Sequence, residues 1–90
     1  MKLDQEKKDA LRGLISDLWK DFEEIPPEDV SRRRMMRERI TQLEAQLEAE
    51  DVDETVIGEC CNEIESLLEN MTANVVKSGW FQKISALFGV

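Results

Sequence analysis

The sequence predicts an all-α fold, a small antiparallel bundle of three long helices and one short C-terminal helix. The main evidence is an apolar stripe between residues 51 and 71, whose members recur at alternating intervals of three and four and therefore share one helical face. Its members are Ile57, Cys60, Ile64, Leu67 and Met71. Cys61 and Leu68 widen the stripe to about three positions in seven, which is typical of a helix packed against several neighbours.

Length and composition indicate one domain, residues 1–90, with one modest core. Apolar residues make up 41% and charged residues 36%, with two prolines and four glycines, a profile close to that of helical proteins. A chain of this size buries a little over ~60% of its unfolded surface. Pairing of two copies would enlarge that core, so a homodimer is expected.

The first helix is predicted at about residues 4–24. Its apolar residues form a wide stripe made up of Leu11, Leu14, Ile15, Leu18, Phe22 and Ile25. Asp4 is expected to cap the N-terminus, because its carboxylate can accept hydrogen bonds from free backbone N–H groups. Gly13, inside the helix, is expected to allow a close approach of a neighbour. Pro26 should end the helix, since the residue before a proline avoids the helical conformation.

The second helix is predicted at about residues 27–49, with Pro27 at its first position and acidic residues after it. Its apolar positions form a narrow, coiled-coil-like seam of about two in seven. The seam consists of Met36, Ile40, Leu43 and Leu47. So narrow a seam leaves a further surface for a partner or a second copy.

The third helix is predicted at about residues 52–76. Asp51, with Glu54 three residues later, resembles a capping box. The link before it is short, which makes the second and third helices antiparallel neighbours. The arginine-rich start of the second helix should then lie near the acidic end of the third. Gly79 is expected to cap the C-terminus of the third helix.

The last short helix is predicted at about residues 80–88, and it is more apolar than a surface helix requires. Its large apolar residues are candidates for a partner-binding anchor: Trp80, Phe81, Ile84, Leu87 and Phe88. One alternative is that they close the bundle as a fourth core helix. Another is that the helix lies on a membrane surface, which would make the chain a peripheral membrane protein.

The charge is strongly acidic, at −8 for the whole chain. Residues 51–76 hold seven acidic residues and no basic one. Four of these acids are candidates for an acidic face: Glu59, Glu63, Glu65 and Glu69. An acidic surface repels nucleic acid and favours a basic partner. An alternative hypothesis is therefore an acidic nucleic-acid mimic that occupies the basic groove of a DNA- or RNA-binding protein.

A basic cluster occupies the first half of the second helix: Arg32, Arg33, Arg34, Arg37 and Arg39. Arginines in this density can contact phosphate. Nucleic-acid-binding domains usually carry a basic overall charge, however, and single-strand binders place aromatic residues among the bases. No aromatic residue lies between Phe22 and Trp80. Salt bridges within the chain or to a protein partner are favoured over nucleic acid.

No catalytic, metal or cofactor site is predicted. The chain has no histidine and no tyrosine, which removes the commonest general base, and its serines have no activating base beside them. Cys60 and Cys61 point ~100° apart on a helix, so they cannot readily share a metal ion. Their position on the apolar stripe predicts packing in the core.

The favoured function is therefore a non-enzymatic one: a small acidic regulator, inhibitor or adaptor that binds another protein. The N-terminal residues do not resemble a signal peptide, and no stretch approaches the ~20 apolar residues of a membrane span. A cytoplasmic location is expected, with membrane binding disfavoured.

Overall fold

Three long helices dominate the computed structural model, which describes residues 2–69, 79, 82–84 and 86. They are α1 (Gln5–Glu24), α2 (Val30–Glu48) and α3 (Glu54–Leu68). A short helical segment near the C-terminus includes residues 82–84. No strand occurs among the described residues. The predicted all-α class is confirmed.

The ends of α1 lie close to where the sequence predicts them. The Asp4 side chain accepts a hydrogen bond of 2.8 Å from the backbone N–H of Lys7, so Asp4 is the N-cap. At the other end Ile25 leaves the helical conformation, with ψ at 129°, directly before Pro26. Ile25 is nevertheless fully buried, so the end of α1 belongs to the core.

The predicted start of the second helix is wrong by three residues. α2 begins at Val30 with Asp29 as its N-cap, whose carboxylate accepts a 3.3 Å hydrogen bond from the Arg32 backbone N–H. The Asp29 N–H donates to the Pro26 carbonyl at 2.9 Å, so Pro27 and Glu28 lie in a turn. An aspartate cap satisfies a free N–H of the first helical turn, which a proline at the first position does not.

The start of α3 also differs from the prediction, because the N-cap is Asp53 and not Asp51. The Asp53 carboxylate accepts hydrogen bonds from the N–H groups of Thr55 and Val56, at 3.0 and 3.4 Å. With Asp53 as the N-cap, Val52 is the residue immediately before the cap, and its side chain is buried. Val52 and Ile57 occupy the two positions of a hydrophobic staple, and both belong to the core. Burial of Val52 favours the later start.

The C-terminal end of α3 comes earlier than predicted. The helix ends at Leu68, and Glu69 is the C-cap, with ψ at 137° and its N–H bonded to the Ser66 carbonyl. Residues 70–76 of the prediction lie outside the described residues. Gly79 therefore does not cap α3. Its φ is +71°, and its carbonyl accepts from the Lys83 N–H at 3.1 Å, which places Gly79 at the start of the C-terminal helical segment.

Helix α2 packs against both α1 and α3. Contacts between α2 and α3 pair rising residue numbers in one helix with falling numbers in the other, so the two run antiparallel as predicted. These contacts are Arg39–Glu63, Gln42–Cys60 and Gln46–Asp53. Contacts between α1 and α2 follow the same order: Phe22–Arg33, Phe22–Arg37 and Trp19–Glu44.

The core contains predicted stripe residues of all three helices, and Met71 of the predicted stripe lies outside the described residues. Its buried members are Leu3, Leu11, Leu14, Ile15, Leu18, Phe22, Ile25, Met36, Ile40, Leu43, Leu47, Val52, Ile57, Cys60, Ile64, Leu68 and Ile84. Cys61 and Leu67 pack partly buried against it. Ile84 of the C-terminal segment is 3% exposed and joins the same cluster.

Burial of Ile84 predicts that the C-terminal segment contributes to stability. Ile84→Ala should lower the free energy of unfolding by about 2–5 kcal/mol, because it leaves a cavity in the core. The neighbouring Lys83 is exposed, so Lys83→Ala should change it by about 0.5 kcal/mol or less. Urea denaturation followed by circular dichroism measures both. Equal effects of the two substitutions would contradict the placement of Ile84.

Two glycines should respond to alanine in opposite directions. The expected close approach at Gly13 is absent, because a Cβ built there meets nothing within 4 Å. Gly13→Ala should therefore stabilise the chain by about 0.5–1 kcal/mol through helix propensity. Gly79→Ala should destabilise it by roughly 1 kcal/mol or more, since φ is +71° there. Melting temperatures that move the same way for both variants would contradict these conformations.

Candidate functional site

The five arginines of the predicted basic cluster are divided between several partners. Arg32 pairs with Asp29 at 3.2 Å, one turn away on the same helix. Arg39 forms an ion pair with Glu63 of α3. The other three arginines form no ion pair with a carboxylate among the described residues: Arg33, Arg34 and Arg37. The cluster therefore faces two sides of α2 and is not one continuous basic face.

Phe22 of α1 supports two of these arginines. The guanidinium carbons of Arg33 and Arg37 lie 4.6 and 5.4 Å from the centre of its ring. Arg33 also donates a hydrogen bond of 2.7 Å to the Ile25 carbonyl. Trp19 packs edge-on against Phe22, with ring centres 5.5 Å apart. A charge over an aromatic ring is attracted by the ring's quadrupole, so the ring orients both guanidinium groups.

These arginines border a surface depression beside the start of α2, which we call the arginine crevice. It has a volume of about 230 Å³, and its lining consists of Pro27, Val30, Arg33, Arg34 and Arg37. Pro27 and Val30 make part of the wall apolar. The sequence predicts the arginines but not the crevice, because the orienting ring comes from another helix.

Two large hydrophobic side chains are exposed among the described residues, and both belong to the first half of α2. Val30 is 65% exposed and Met35 is 42% exposed. Together with Arg34 and Glu38, which are also exposed, they form what we call the outer face of α2. This face points away from the seam, because the seam packs against α1 and α3.

A second depression follows the boundary between α2 and α3 on the Met35 side. It is open and about 420 Å³ in volume, with Met35, Arg39, Asn62, Glu63, Ser66 and Leu67 as its lining. The Arg39–Glu63 ion pair crosses it. Both partners are partly exposed, with side chains 24% and 47% accessible. Such a pair is worth about 0.2–1 kcal/mol, so it selects the register of the helices more than it stabilises them.

Gln42 joins Arg39 and Cys60 beneath this second depression. Its Oε1 accepts hydrogen bonds from Arg39 Nη1 at 2.9 Å and from the Cys60 thiol at 3.1 Å. Burial raises the pKa of the Cys60 thiol, an effect that the Arg39 charge opposes and the charges of Glu63 and Glu59 reinforce. The thiol therefore remains protonated, and it acts as a hydrogen-bond donor in the helix interface.

Cys61 is even less acidic. Burial, with a smaller contribution from Cys60, raises the pKa of its thiol to about 12. A nucleophilic or metal-binding cysteine needs a lowered pKa, because the thiolate is the reactive form. Both cysteines are free thiols that pack in or against the core, as their place on the apolar stripe predicts.

The four candidate acids of α3 lie in two rows and not on a single face. All four are exposed. At 3.6 residues per turn, Glu59 and Glu63 form one pair on the helix surface, and the pair of Glu65 and Glu69 is centred about 120° around it. Asn62 and Ser66 separate the rows. Glu63 is also paired with Arg39.

Asp21 is a residue that the sequence analysis does not single out. It is fully buried in α1 and engaged in an interaction within the fold. It lies three residues after Leu18 and four before Ile25, so helical spacing places it on the apolar stripe. That spacing is the signal that predicts its burial.

Of the C-terminal anchor candidates, Ile84 is described and is buried in the core. Trp80, Phe81, Leu87 and Phe88 lie outside the described residues.

The described residues contain no candidate metal site and no helix that could span a membrane, and the chain has no match among known proteins. Among the described residues, no three cysteine, aspartate or glutamate side chains are grouped so that they could hold a metal ion. No described helix is long and apolar enough to cross a membrane. Comparison of the chain with protein families, characterised proteins and solved structures finds nothing that matches it.

The raised thiol pKa values predict slow alkylation in the folded state. With the pKa near 12 instead of 9.0, Cys61 in a Cys60→Ser variant should hold about a thousand times less thiolate at pH 8 than a free thiol. Its reaction with iodoacetamide should be correspondingly slow and should accelerate on unfolding in guanidinium chloride. Similar rates in the folded and unfolded chain would contradict the burial of this thiol.

The raised pKa of the Cys61 thiol also predicts how the stability of the fold changes with pH. The folded state holds the thiol proton more tightly than the unfolded chain does, so this contribution is fully present below the ordinary pKa of 9.0. It should decrease as the pH rises from there towards about 12. Urea midpoints measured across that range for wild type and for Cys61→Ser should converge as the pH increases.

Proposed function

We propose that this chain is a non-enzymatic protein-binding module, a small acidic regulator, inhibitor or adaptor, and that it contacts its partner through the outer face of α2. The observation that carries the proposal is the exposure of Val30 and Met35, at 65% and 42%, within two turns of one helix. Single exposed apolar residues are common on protein surfaces. Here two lie five residues apart and about 140° around the helix from each other, and they flank the exposed residues Arg34 and Glu38 of the outer face.

The residue types of this face support the proposal. Met and Arg are enriched in protein interfaces, whereas Lys is depleted. Among residues 30–39 of α2, the exposed side chains include Arg34, Met35 and Arg37, and no lysine occurs. Arginine also suits interfaces because its planar guanidinium group can form bidentate hydrogen bonds with carboxylates and can stack on aromatic rings. The exposed residues of this stretch therefore resemble an interface more than an ordinary solvated helix.

The rival functions have weaker support. A nucleic-acid mimic needs a continuous row of free carboxylates, but the acids of α3 lie in two rows, and Glu63 is paired with Arg39. A cysteine enzyme needs an activated thiolate, but burial raises the pKa of both thiols. Self-association through the outer face is a form of the same protein-binding function, with a second copy as the partner.

Affinity capture with matched variants tests the proposal. The wild-type chain is immobilised in parallel with a Val30→Ser/Met35→Ser variant and with a Thr41→Ser/Ala45→Ser control at exposed positions farther along α2. A true partner should be recovered by wild type and control, and its yield should fall about tenfold or more with the Val30/Met35 variant. Sedimentation of the isolated chain in the same series identifies self-association.

Each variant changes exposed side chains only, so its unfolding free energy should stay within about 0.5 kcal/mol of wild type. Thermal melts check this before capture. Recovery of the same proteins in equal yield by all three chains would overturn the assignment of the outer face as the contact surface.

A further inference from the structure

We propose that the arginine crevice binds an acidic segment of a partner protein, one that carries an apolar side chain between its carboxylates. This inference rests on the proposed protein-binding function and adds the chemistry of the partner. The charges that line the crevice, and the groups that hold those charges in place, favour such an occupant.

The charge of the arginine crevice is opposite in sign to the net charge of the chain. Acidic residues outnumber basic ones by 20 to 12 in this chain. The crevice nevertheless contains three arginines that have no carboxylate partner among the described residues: Arg33, Arg34 and Arg37. These three guanidinium groups line one depression, so they concentrate positive charge that no described carboxylate neutralises.

The position of these arginines makes them costly in the isolated chain. Arg33 ends the first turn of α2, near the positive end of the helix dipole, where cations are unfavourable, and Arg34 and Arg37 follow it. They also repel one another. Asp29 and Glu63 offset two other arginines of the same stretch, namely Arg32 and Arg39. A bound carboxylate would offset the remaining cluster in the same way.

Two of the crevice arginines are held ready for a ligand. Phe22 lies under Arg33 and Arg37, and the Ile25 carbonyl fixes Arg33 through one of its five N–H donors. The other N–H groups of Arg33 remain available. Groups ordered before binding lose less entropy on binding, which raises affinity. The Arg34 side chain is exposed and forms no hydrogen bond or ion pair with a described residue.

The apolar part of the crevice lining favours a peptide over a nucleic acid as the partner. Pro27 and Val30 lie beside the arginines, and Val30 is 65% exposed. They match an apolar side chain of a peptide, whereas a phosphate backbone offers nothing to cover them. No aromatic side chain lines the crevice for base stacking. A long polyanion would also extend from the crevice onto the acidic remainder of a chain at −8.

Fluorescence polarisation with a defined probe tests the proposal. The probe is a short fluorescein-labelled peptide in which one central leucine is flanked on both sides by glutamates, and it is titrated with the full chain at low salt. Arg34→Gln should weaken binding about fivefold to tenfold, because it removes a charge-assisted contact to a carboxylate of the peptide. Val30→Ser should weaken it by about threefold or more through loss of apolar contact.

The matched control is Arg12→Gln, which removes the same charge from an exposed arginine of α1 that pairs with Asp9. It should change binding by less than about twofold, because its effect is only the screened change in net charge. A second probe with glutamine in place of glutamate should bind far more weakly, and a single-stranded oligonucleotide of equal charge should bind less tightly than the acidic peptide.

Equal losses for Arg34→Gln and Arg12→Gln would overturn the proposal, as would tighter binding of the oligonucleotide or no peptide binding up to about 1 mM, which corresponds to roughly 4 kcal/mol. These failures are distinct from failure of the protein-binding function. That function is tested by capture through Val30 and Met35, and it survives if a partner is recovered while the acidic probe does not bind.

Discussion

The narrow apolar seam of α2 is the constraint on which the rest of the bundle depends. One row of four buried side chains faces two neighbouring helices at once: Met36, Ile40, Leu43 and Leu47. Each such side chain contributes about 1.5–3 kcal/mol when it leaves water. The surface ion pairs contribute less than this. Packing along the seam therefore holds the helices together, and the polar contacts beside it choose how they align.

The central position of α2 also explains where its functional candidates lie. With its seam directed towards α1 and α3, the remaining surface of the helix must face solvent. Val30 and Met35 flank that surface at its N-terminal end. The arginines near the α1 boundary meet Phe22, and Arg39 near the α3 boundary meets Glu63. One helix therefore supplies both the middle of the core and the exposed surface on which our proposals are based.

The polar groups at the α2–α3 and α1–α2 boundaries have different kinds of partner. Between α2 and α3, a glutamine oxygen accepts hydrogen bonds from both an arginine and a cysteine thiol. Between α1 and α2, an aromatic ring and a backbone carbonyl satisfy two arginines. The first arrangement uses its charges internally. In the second, neither arginine pairs with a described carboxylate, which is why the crevice and not the Arg39 pair is the candidate binding site.

The sequence by itself determined the helical class, the apolar faces, the antiparallel order and the cap at Asp4, because these follow from spacing and from local hydrogen bonding. The start of α3 was decided by tertiary structure. Two neighbouring aspartates compete as caps at Asp51 and Asp53, and burial of Val52 selects the second. The arginine crevice was equally invisible in the sequence, since Phe22 lies on another helix. Spacing along one helix places side chains on its faces, but only packing shows which faces meet.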